Sequence, residues 1–181
     1  MPHKNHIPWI DAGYQLVARE GFESLNIEVL SRKVGKNKSS FYHYFGELEL
    51  FRDALLERHI QAASQFAEEA SSLTSMQPEV MNLMIDRKDD LFFHKQLRIN
   101  RSDPACKACF DKAYQLFHEA ISDKWSRFME LHDQPALAST FLTLASENFL
   151  LRITYSTFTF EWLEAYLAEF AAMRSQINQG S

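Results

Sequence analysis

Residues 26–47 read NIEVLSRKVGKNKSSFYHYFGE, and their pattern organises the reading of the whole chain. Asn26 predicts an N-cap, because its side-chain oxygen can accept a hydrogen bond from an amide that the first helical turn leaves unpaired. Ile27, Leu30 and Val34 then fall at i, i+3 and i+7, one face of a helix over 27–34. Gly35 ends that helix, since glycine tolerates the left-handed backbone of a tight turn. A second short helix begins at Lys38, with Phe41 and Phe45 four residues apart as inward anchors. Ser39, Ser40, Tyr42 and His43 are left to point outward. No acidic residue separates Glu28 from Glu47, whereas Arg32, Lys33, Lys36 and Lys38 all lie between them. Two short helices on a tight turn, with cations beside hydroxyls and an imidazole, read as a helix-turn-helix suited to duplex DNA.

The flanking sequence extends the same helical grammar. Before the motif, residues 8–20 predict a first helix, with Pro8 near its start and Ile10, Tyr14 and Val17 at helical spacing. After it, a long fourth helix from 47 to about 71 carries Leu48, Phe51, Leu55, His59, Ala62 and Phe66. A break follows at Ser71-Ser72-Leu73-Thr74-Ser75 and Gln77-Pro78. Residues 78–100 are amphipathic, with an interruption near Lys88-Asp89-Asp90. Asp103-Pro104 supplies an N-cap and first helical position for a helix running through Trp125 and Phe128 to His132. Pro135 opens the next helix, through Phe141, Leu144, Asn148, Leu151 and Tyr155. The last spans about 160–177, with Leu163, Tyr166, Leu167, Phe170 and Met173 on one face. Between these two, residues 153–160 are rich in β-formers, and we read them as a helix end, a turn and a Thr159 cap.

The expectation is therefore an all-α protein: an N-terminal three-helix helix-turn-helix domain joined by a fourth helix to a helical C-terminal domain. The boundary is placed at residue 50, giving domains 1–50 and 51–181. Composition agrees, since 46% of residues are apolar, 15 are Phe, and only five Gly and five Pro occur in 181 positions. The net charge of −5 is at first sight wrong for a nucleic-acid binder. Residues 1–60, however, balance eight Lys/Arg against eight Asp/Glu, so the whole deficit lies in 61–181. A local basic footprint matters more for DNA than total charge. The lack of a charged leader and of any apolar run near 18 residues predicts a soluble, cytoplasmic protein with no membrane partner.

The run Gly35-Lys36-Asn37-Lys38-Ser39-Ser40-Phe41-Tyr42-His43-Tyr44-Phe45 resembles the recognition segment of TetR-type transcriptional regulators. Ile10-Asp11-Ala12-Gly13, Leu16 and Glu20-Gly21-Phe22 resemble that family's first helix and its closing turn. Glu49, Leu50, Phe51 and Leu55-Leu56 resemble its fourth helix. The resemblance covers about residues 7–58. It departs from the family at Lys36, usually aliphatic, at Leu48, commonly a phosphate-contacting cation, and at Glu28, often basic. What it implies is a ligand-responsive repressor and not an enzyme. Such a protein binds a near-palindromic double-stranded operator as a homodimer formed through the last two helices, and its C-terminal domain binds a small-molecule effector. Two-fold pairing also has a geometric use, placing two recognition helices on successive major-groove faces roughly 34–36 Å apart.

The candidate DNA-contact set is Lys38, Ser39, Ser40, Tyr42 and His43, with Tyr44 and Lys36 secondary. Asn26, primarily a cap, is a further candidate for a phosphate at its helix N-terminus. For the effector, His94, Arg98, Tyr114, Asn148, Arg152 and Tyr155 lie on or near apolar helical faces. The wealth of Phe and the six Met point weakly to an apolar or amphipathic ligand. Cys106 and Cys109 have the CxxC spacing of redox and metal sites, but no second cysteine pair completes a zinc site. No nucleophile elbow, phosphate loop or metal-ligand motif assembles a catalytic site, and no cofactor is expected. Two alternatives stand beside the regulator: a helical protein-interaction module without DNA binding, and a thiol redox sensor using Cys106 and Cys109.

Overall fold

The computed structural model describes residues 6–179, with side chains through Arg174. Every regular element among the described residues is helical: α1 (Ile7–Glu20), α2 (Ile27–Val34), α3 (Lys38–Phe45), α4 (Leu48–Ser72), α5 (Met81–Asp86), α6 (Lys88–Ile99), α7 (Pro104–Phe128), α8 (Pro135–Arg152) and α9 (Phe160–Gln179). Short helical turns at Phe22–Ser24 and Met76–Val80 complete the order. The all-α expectation holds, and the motif helices begin where their caps place them.

The interruption expected near Lys88-Asp89-Asp90 is present, at Arg87, which leaves helical geometry at φ −98° and ψ 29°. Lys88, Asp89 and Asp90 form the first turn of α6, where carboxylates meet the positive end of the helix dipole. One expectation is corrected: α7 stops at Phe128 and does not reach His132, because Glu130 takes a φ of 50°. The reversal turns Met129 and Leu131 inward, at 0% and 1% exposure, and Arg174 Nη1 donates to the Met129 carbonyl at 3.2 Å. The reading of residues 153–160 is sound: Ile153 is extended, and Thr159 Oγ1 caps α9 by accepting from Trp162 N at 3.3 Å.

By packing, the chain forms two compact units. The first holds the described residues up to Ala63 together with Asp89–Ala113; the second holds Ser64–Lys88 and the chain from Tyr114 onward. Both α4 and α7 run from one unit into the other.

Aromatic packing builds the core of the first unit. Phe41 from α3 lies 5.4 Å from Trp9 of α1 and 5.2 Å from Phe51 of α4, and Phe45 lies 4.7 Å from Phe51. Trp9, Leu30, Phe41 and Phe51 are fully buried. Burying a Phe or Leu side chain contributes about 1.5–3 kcal/mol, so this cluster holds three short helices that could not persist alone. In the same unit Tyr14 stacks on Phe93 at 4.2 Å, its hydroxyl sits 2.7 Å from His59 Nδ1, and His59 Nε2 lies 3.2 Å from His94 Nδ1. The second unit is tied by Trp125 Nε1 donating to the Ala138 carbonyl at 3.1 Å and by Tyr166 Oη donating to that of Ala145 at 2.6 Å.

Candidate nucleic-acid interface

The turn between α2 and α3 is set by three residues. Asn26 Oδ1 accepts from Glu28 N at 2.8 Å and starts α2. Gly35 closes it in the left-handed region at φ 68°, with its amide donating to Arg32 and that of Lys36 to Ser31. Asn37 then caps α3, its Oδ1 accepting from Ser40 N at 2.9 Å. With both ends capped, α3 can be only eight residues long and still hold its orientation.

The orientation divides α3 cleanly. Phe41 and Phe45 enter the core, while Lys38, Ser39, Tyr42 and His43 are exposed, Tyr42 to 52%. Ser40, Tyr44 and Lys36 are half-buried, and the Ser40 amide donates to the Asn37 cap. Asn26 is exposed at the other end of the motif. Apart from Asn26, the expected contact residues thus lie on α3 and its preceding turn.

One feature was not foreseen. Lys38 Nζ donates to Glu28 Oε1 at 2.9 Å, joining the first turns of the two helices. The hydrogen bond and charge of Lys38 hold the Glu28 carboxyl below the usual carboxylate range. The ten-residue separation of these two carries no sequence signal until both helices are oriented. The Asn37 cap was not among the expectations either, although an Asn directly before the helix start is a local signal for it.

The expected effector residues do not gather in one unit. His94 and Arg98 lie in the first unit, and Tyr114, Asn148, Arg152 and Tyr155 in the second. His94 is buried against Phe110, stacked at 4.4 Å, and desolvation pushes its pKa down to about 3. In the second unit Arg152 is exposed and paired with Glu169, its guanidinium 5.2 Å over the Tyr166 ring. Tyr155 lies under Lys88 Nζ at 4.5 Å, and Asn148 is exposed. Helical spacing placed these residues near apolar faces but said nothing of which faces meet.

Both cysteines are buried and form no disulfide. Arg52 Nη2 donates to Cys106 Sγ at 3.0 Å and pairs with Asp103 at 2.8 Å, while Cys109 Sγ donates to the Leu56 carbonyl at 3.5 Å. Burial raises both thiols, Cys106 against the opposing pull of Arg52, and Cys109 to about 12. Nucleophilic thiolates need the reverse. Among the described residues no cluster of three or more His, Cys, Asp or Glu is placed to hold a metal, and no helix is long and apolar enough to cross a membrane.

No family model matches the chain. Over 53 residues, 29% of this chain, it is 42% identical to the HTH-type transcriptional repressor NemR of Escherichia coli K12, and equally to NemR of E. coli O6:H1. The matched stretch spans 27% of the length of each. Two crystal structures share its fold. A protein from Mesorhizobium loti assigned to the TetR family of transcriptional regulators has a TM-score of 0.58 at 12% identity, covering 94% of this chain and 95% of its own. Another so assigned, from a Rhodococcus species, has a TM-score of 0.54 at 14% identity, covering 92% and 94%.

Proposed function

We propose that this chain, which has the fold of TetR-family transcriptional regulators, is a DNA-binding regulator of transcription, acting as a repressor on a near-palindromic operator. The observation that carries this reading is the division of α3. Its apolar residues are consumed by the core, and what remains outward is a cation, hydroxyls and an imidazole on a capped helix. Lys38 and Tyr42 contact phosphate, with Lys36, Tyr44 and Asn26 at the margin; Ser39 and Ser40 are short enough to bring base edges close, with His43 beside them.

In this reading residues 1–50 read DNA, and residues 51–181 bind an apolar or amphipathic effector and form the homodimer. The apolar side chains of Leu144, Leu151 and Met173 on α8 and α9, 58%, 63% and 47% exposed in the single chain, support pairing through these helices. An effector then acts by binding more tightly to the dimer whose reading heads are wrongly spaced for successive grooves.

Selection of bound duplexes from a random library, followed by salt-dependent affinity for the winners, tests the proposal. A near-palindrome bound by a dimer with steep salt dependence is the expected result. A folded dimer that enriches nothing, with or without cell extract, would instead favour a helical interaction module.

A further inference from the structure

Within the motif, the charges that face a duplex do not all have one sign. Glu28 stands in the first turn of α2, its side chain 66% exposed, and its carboxylate holds the Lys38 ammonium, itself 53% exposed, at 2.9 Å. Arg32 and Lys33 on α2 are exposed as well, and no other acidic residue occurs between Glu28 and the exposed Glu47 that closes the motif. An exposed pair of this kind is weak in water, and Lys38 is free to leave it. Leaving, however, strands a carboxylate beside the phosphates that Lys38 would approach. Counted as the duplex sees it, the pair contributes almost no net charge.

Resting on the regulator reading above, we infer that Glu28 is an electrostatic brake on the reading head: by holding Lys38 it weakens the sequence-independent grip on the DNA backbone. Sequence-independent affinity comes essentially from neutralised phosphates and released counterions. A cation paired with a neighbouring carboxylate counts for less there, so the phosphate contact of Lys38 is weakened. The other cations of the motif are Arg32, Lys33 and Lys36, and base-edge contacts from α3 carry a larger share of total affinity.

The test is a charge cycle on the full-length protein, using wild type, Glu28→Gln, Lys38→Gln and the double substitution. Each is titrated with a random-sequence duplex across a salt series, and folding is checked by thermal unfolding. Both side chains are exposed and both caps are untouched, so the four proteins remain folded. The expected result is that Glu28→Gln tightens binding several-fold at low salt and steepens the log–log salt slope by about 0.9, one phosphate contact. Lys38→Gln weakens binding markedly in the Glu28→Gln background and only slightly in wild type. Equal slopes for wild type and Glu28→Gln would overturn the inference, as would a Lys38→Gln effect of the same size in both backgrounds. If none of the four proteins binds duplex with salt dependence, the regulator reading itself fails. That outcome is distinct from a set of proteins that all bind with unchanged slopes.

Discussion

The Tyr14 hydroxyl lies 2.7 Å from His59 Nδ1, tying the first helix of the reading head to the long α4 through a buried polar contact. His59 in turn meets His94 of α6 at 3.2 Å. Three helices are thereby joined by groups that can be buried cheaply only while both rings are neutral.

Acid therefore destabilises this contact. Desolvation lowers the pKa of both histidines, His94 to about 3, and for His59 the charges of His94 and Arg58 add to that pull. A group with a depressed folded-state pKa contributes stability that is complete above its unfolded value, about 6.5. It loses that contribution as pH falls, because the unfolded chain takes the proton first. The loss is about 1.4 kcal/mol per pH unit for each ring. Urea midpoints should hold from about pH 7.5 to about 6.5 and fall from there to about 4.5, and His94→Asn should flatten that fall. A midpoint independent of pH in wild type would contradict the buried, neutral pair.

Gly13→Ala is expected to destabilise the protein although it sits mid-helix. The added methyl would lie 2.4 Å from Phe51 Cζ and 2.7 Å from Cε1. Phe51 cannot swing away, being fully buried against Phe41 and Phe45. Overpacking costs about 1–3 kcal/mol, against about 1 kcal/mol gained in helix propensity. Chemical denaturation should show a net loss; a gain would mean that α1 and α4 approach less closely.

Phe41 and Tyr42 are adjacent and should behave oppositely. Phe41→Ala removes a fully buried ring, costing about 3–5 kcal/mol and most of the fold of the reading head. Tyr42→Ala should change stability by less than about 0.5 kcal/mol while weakening binding to all duplexes alike. Ser39→Ala and Ser40→Ala should instead shift sequence preference, read as relative affinities across operator variants. If Tyr42 and the serines change affinity in the same pattern, the assignment of phosphate and base contacts is wrong.

Leu151→Glu, together with Leu144→Glu, should convert a dimer to monomer in sedimentation experiments with helical content unchanged. Both side chains are more than half exposed in the single chain, so a monomeric fold has no reason to lose stability from their replacement. A variant that remains dimeric would move the interface away from α8.

Thiol labelling provides a separate check on the redox alternative. With both thiols buried and raised, neither Cys106 nor Cys109 should react appreciably with iodoacetamide until the protein unfolds. Rapid labelling of the folded protein, with loss of duplex binding, would revive the sensor reading.

What the sequence determined by itself was local. Asn26, Gly35 and the Phe41/Phe45 spacing specify two capped helices and their turn, because capping, left-handed geometry and a 3.6-residue period act within a few positions. The Thr159 cap and the start of α7 at Pro104 were legible for the same reason. Tertiary structure alone decided which charged and polar groups meet. Glu28 and Lys38 are ten residues apart, Tyr14 and His59 forty-five, and His59 and His94 thirty-five. It also distributed the six expected effector residues between two units, because periodicity assigns each to a helix face without saying what that face packs against. Contacts between distant helices depend on how whole faces fit, and that fit is a property of the assembled core.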